Sequence, residues 1–72
     1  MKFLEIYIKY NLTEKEIHTL QIMRDCDISQ SWSEASFDSH KWHMLLRDGI
    51  LIKESYNSIG IINCKVADFV HE

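Results

Sequence analysis

Proline is absent from this sequence, and glycine and cysteine occur only twice each. The lack of proline and near-lack of glycine leave little room for linkers or hinges, so residues 1–72 are expected to form a single domain. Cys26 and Cys64 stand far apart, with no second cysteine near either. That excludes the disulfide framework of a small secreted scaffold and the usual zinc spacings. The opening residues do not read as a secretory leader, so both thiols are expected to be reduced in a cytoplasmic protein. No apolar run is longer than a few residues, against the ~20 that span a bilayer, and no membrane segment is expected. There is no internal repeat and no low-complexity tract.

What is present is ordinary globular material, 46% hydrophobic and 26% charged. A chain this short buries only about 60% of its unfolded surface, so most apolar residues are needed for the core. The formal charge of −3 argues against indiscriminate nucleic-acid binding. Its distribution is more informative. Residues 12–38 set Lys15 and Arg24 against Glu14, Glu16, Asp25, Asp27, Glu34 and Asp38. Residues 39–54 set Lys41, Arg47 and Lys53 against Asp48 and Glu54, with His40 and His43 among them. An anion-seeking face therefore belongs to the second segment, and a face for a basic partner to the first.

The opening FLEIYIKY alternates, with Leu4, Ile6, Ile8 and Tyr10 on one side and Phe3, Glu5, Tyr7 and Lys9 on the other, which predicts a strand. A helix follows over about 13–26. Thr13 is its N-cap, Glu16 closes a capping box, and Leu12 and Ile17 take the staple positions. Ile17, Leu20, Met23 and Cys26 form its apolar stripe. In 28–37, Ser31 is placed to cap a short turn or two containing Trp32, Glu34 and Ala35, with Phe37 packing inward. Asp38 caps a further helix over 39–48, with Phe37 and Trp42 as its staple and Trp42, Leu45 and Leu46 buried. Gly49 falls where a left-handed residue ends that helix. Residues 50–65 then read as a hairpin bending at Tyr56-Asn-Ser, with Ile50 and Ile52 or their strand neighbours turned inward. Val66, Phe69 and Val70 suit a closing helical turn.

Helix, short helix, a helix ending in LLRDGILIKE, and a hairpin together resemble the winged helix-turn-helix domains. The resemblance spans about residues 12–65. It is carried by Thr13, Glu16 and Leu20, then by Leu45, Leu46, Gly49, Ile50 and Leu51. It implies an α+β, winged-helix-like fold: an N-terminal strand, three helices and a C-terminal hairpin. It also implies that the helix at 39–48 enters the major groove of double-stranded DNA while the wing touches the backbone. By position the contacting residues are His40, Lys41, His43, Met44, Arg47 and Lys53. Three departures are visible: a short second helix, Ser36-Phe37-Asp38 in place of a small-residue turn, and a wing tip of Asn57 and Ser58 without a cation.

No glycine-rich loop or nucleophile elbow organises the serines, histidines and acids, so an enzyme is not expected, nor a cofactor. His40 and His43 with either cysteine match no metal pattern. Trp42 lies on an apolar stripe and reads as core. Trp32, flanked by serines, reads as an anchor for a protein partner, and Tyr7, with Phe3 on the outer face of the first strand, makes the same offer; Glu14 and Glu34 are the acidic contacts of that reading. Two functions follow. One is a small transcription regulator binding DNA through 39–54, as a homodimer. The other is a phage or mobile-element protein that occupies a host protein through its acidic half. Ten isoleucines, and six lysines to two arginines, point to an AT-rich source of the kind phages often are.

Overall fold

The computed structural model describes all 72 residues. Three helices and a two-stranded antiparallel hairpin make one α+β domain: α1 (Phe3–Lys9), α2 (Glu14–Cys26), α3 (Ser39–Arg47), β1 (Leu51–Tyr56) and β2 (Ile62–Val66). The opening segment is helical, which overturns the expected N-terminal strand. Its apolar residues satisfy both periods, and the helical one wins: Phe3, Ile6 and Tyr10 are buried, while Leu4 and Ile8 face out. Glu5 accepts the Lys2 amide at 2.9 Å, helping to satisfy the helix start.

α2 begins as expected. Thr13 Oγ accepts the Glu16 amide at 3.1 Å, and the Glu16 carboxylate accepts the Thr13 amide at 2.8 Å. Leu12, Leu20 and Met23 are buried and Ile17 is half-buried, but Cys26 is exposed. Asp27 ends the helix in the left-handed region, so Cys26 falls on the last turn, beyond the reach of the core. Residues 32–36 form a turn rather than a helix. Ser31 Oγ accepts the Glu34 amide at its start, and Phe37 packs inward at its end. Asp38 caps α3 through the Lys41 amide at 3.0 Å. Phe37 and Trp42 meet edge-to-face at 5.1 Å, the expected staple. Gly49 takes φ +79°, the left-handed exit that lets the chain turn directly into β1.

In the hairpin Leu51 pairs with Val66 and Ile52 with Lys65. Ile50 and Leu51 are buried and Ile52 is not, so the inward phase is one residue later than an Ile50–Ile52 pair requires. A bulge at Glu54 shifts the register between Lys53 and Ser55. The bend runs from Asn57 to Ile61, later than expected. Asn57 Oδ1 accepts the amides of Ile59 and Ile61, and Gly60 supplies φ +84°. Gln30 exchanges two backbone hydrogen bonds with Cys64, at 2.9 and 2.8 Å, which fastens the segment after α2 to the free edge of β2. Past β2 the chain makes a turn instead of a helix. Val70 is buried there and Phe69 is exposed, and His71 bridges Lys2 at the other end of the chain. No helix is long and apolar enough to cross a membrane.

Candidate nucleic-acid interface

The strong amphipathicity of α3 decides which of its residues are presented. Trp42 and Leu45 point into the core, and Met44 and Leu46 are half-buried at the margins. The face left to solvent carries His40, His43 and Arg47, which lie within about a sixth of the helix circumference at 3.6 residues per turn. His43 Nδ1 lies 2.6 Å from the Ser39 carbonyl oxygen. A carbonyl only accepts, so Nδ1 carries the proton and the other ring nitrogen is left for solvent or a ligand.

Arg47 is exposed and bonded to Asp48, Nε to Oδ1 at 3.0 Å. The same carboxylate accepts Tyr10 Oη at 2.6 Å, joining the end of α1 to the end of α3. Hydrogen bonds from Arg47 and Tyr10 hold Asp48 below the usual carboxylate range. Tyr10 is pushed up to about 12, by burial first and then by its bond to Asp48. Both effects favour the tethered pair at neutral pH.

Lys41 does not join the presented row. Its Nζ turns back to the Glu16 carboxylate at 3.1 Å and the Asn11 carbonyl at 2.8 Å. Glu16 also accepts the Asp38 amide at 3.3 Å, so one buried carboxylate serves both helix starts and this lysine. Burial by itself would raise its pKa. The hydrogen bonds from Thr13, Lys41 and Asp38 outweigh that and leave it below the ordinary value. Of this knot only the local capping box is legible along the chain, because Lys41 lies 25 residues from Glu16. Arg24 is similarly committed, donating to the Val70 and Asp68 carbonyls of the chain end.

On the hairpin, Lys53 Nζ donates to Tyr56 Oη at 2.7 Å and lies 4.6 Å from the ring centroid. The bulge at Glu54 brings these two exposed residues to the same side. Between α3 and the bend lies a cleft of about 230 Å³ lined by Trp32, Trp42, His43, Leu46 and Gly60 to Ile62. The four residues considered for a protein partner are not brought together there. Tyr7 and Glu14 share a groove between α1 and α2, Trp32 lines the cleft beside α3, and Glu34 lies with Thr19 and Ile22 on a third surface. Comparison with protein-family models, curated proteins and solved structures finds no match to this chain.

Proposed function

We propose that the chain is a winged-helix DNA-binding domain, a small transcription regulator that reads duplex DNA with the outer face of α3 and steadies it with the hairpin. The observation that carries this reading is the row of His40, His43 and Arg47. It is left uncovered on a helix whose opposite face is core, with Lys53 on the adjoining hairpin. The Gln30–Cys64 bridge supports it, because it ties the hairpin to the segment that leads from α2 through the turn to α3. Arg47 suits a base edge or phosphate, and His40 and His43 offer ring nitrogens to the groove.

The committed lysine narrows the charge supply. With Lys41 held by Glu16, the cations this surface presents are Lys53 and Arg47, the latter exposed but already sharing its charge with Asp48. Each chain then releases few counterions, and the slope of log K against log salt is about −2 per chain at most. Fluorescence anisotropy on duplex DNA over a salt series tests the proposal. Binding with that shallow slope is the expected result, and no binding to any fragment at low salt rejects it.

The protein-partner reading has its own support in the exposed apolar residues Leu4, Ile8, Ile22, Ile59 and Phe69. On that reading a partner is captured with or without nuclease, Arg47→Ala retains it, and a change at whichever of Glu14, Trp32 and Glu34 lies on the surface it covers releases it.

A further inference from the structure

α1 leaves two large apolar side chains uncovered on one flank. Leu4 is 67% exposed and Ile8 70%, and they stand one turn apart. Beside Ile8, α1 and α2 leave a groove of about 300 Å³ lined by Phe3, Tyr7 and Ile17, with Leu4 itself forming part of its α1 wall and Glu14 and Gln21 on its α2 side. One face thus carries both a protruding pair and a recess with room for an aliphatic side chain. A two-fold axis requires this of a self-complementary surface: what protrudes from one copy must find its recess on the same patch of the other.

The charges beside Ile8 select an orientation. Glu5 and Lys9 are exposed, opposite in sign and one turn apart. In an antiparallel pair with Leu4 set against the partner's Ile8, each Glu5 falls within a turn of the partner's Lys9. A parallel pair would set like charges together. We propose that this face receives a second copy of the chain, the two α1 helices antiparallel and each Leu4 entering the groove between the other's α1 and α2.

Two exposed side chains and one groove are a small contact beside the ~800 Å² each partner gives to a standard interface, so the self-association is expected to be weak. None of these residues belongs to α3 or the hairpin, so pairing leaves the candidate DNA surface free. The proposal does not depend on the DNA reading.

Sedimentation equilibrium of the full chain over a concentration series is the test. A monomer–dimer equilibrium is expected for the natural sequence. Leu4→Glu and Ile8→Glu should each be monomeric, with melting unchanged at low concentration because both positions are exposed. Lys9→Glu and Glu5→Lys should each weaken self-association about tenfold or more, and an equimolar mixture of the two should regain a dimer containing one of each. Lys9 is the basic residue of the last turn of α1 and its Nζ lies 5.4 Å from the Tyr10 ring centroid, so the melting of both reversals is measured beside their self-association and the regained mixed dimer carries the charge test. A natural chain that stays monomeric to its solubility limit overturns the proposal. So does a dimer that survives Ile8→Glu, or one that Lys9→Glu leaves as tight.

Discussion

Replacing Glu16 with alanine removes an acceptor that three donors share, and its cost can be worked through. The Thr13 and Asp38 amides lose partners in a partly buried setting, at about 1 kcal/mol each. The Lys41 side chain is 25% exposed and can turn into water, so its bond is discounted to the surface range, under about 1 kcal/mol. Thr13 Oγ still caps α2 through the residue 16 amide, so that contribution survives. The total is about 2–3 kcal/mol, and at about 4–8 °C per kcal/mol for a domain of this size the midpoint should fall on the order of 10–20 °C. Glu16→Gln keeps an acceptor oxygen and should lose roughly half as much. Because the folded pKa of Glu16 lies below its unfolded value, the charged form's contribution is present above the ordinary carboxylate range. It is lost as pH falls through the depressed folded value. Melts by circular dichroism should therefore separate wild type from Glu16→Gln at neutral pH and converge in acid. A double-mutant cycle with Lys41→Met isolates the ion pair. A Glu16→Ala midpoint within about 3 °C of wild type would show that the knot does not hold the helix starts together.

Three further outcomes are expected. In DNA titrations Arg47→Ala should make the salt slope shallower by about 1, whereas Lys41→Ala should leave it unchanged; equal effects would mean Lys41 leaves Glu16 on binding. Tyr10, raised to about 12 when folded against 10 in its unperturbed form, stabilises the fold fully below pH 10. That contribution declines between about pH 10 and 12, so Tyr10→Phe should flatten the alkaline loss of stability, and an unchanged alkaline limb would refute a phenol raised by burial and its bond to Asp48. An aromatic disulfide reagent should modify exposed Cys26 in the native state. Buried Cys64, whose thiol pKa is raised by burial, should react only on unfolding, and two fast equivalents would contradict the packing of β2.

Features that close within a few residues were legible along the chain. Thr13 with Glu16, Asp38 with the Phe37–Trp42 staple, and Gly49 at its left-handed exit set the limits of α2 and α3, because caps and chain reversals are satisfied by neighbours along the chain. The hairpin was legible for the same reason, though its bend moved to Asn57–Ile61 once the asparagine side chain organised it. The apolar residues of FLEIYIKY fit two periods equally, and only packing of Phe3, Ile6 and Tyr10 into the common core selected the helix. At the candidate interface the sequence could name the cations of the third helix but not their partners. Lys41 is withdrawn by Glu16 and Arg24 by the carbonyls of Asp68 and Val70, contacts that close over 25 to 46 residues of chain. Which charges remain to meet a ligand was decided by tertiary structure alone, because a hydrogen-bonded charge finds its partner through space and leaves no periodic trace in the sequence.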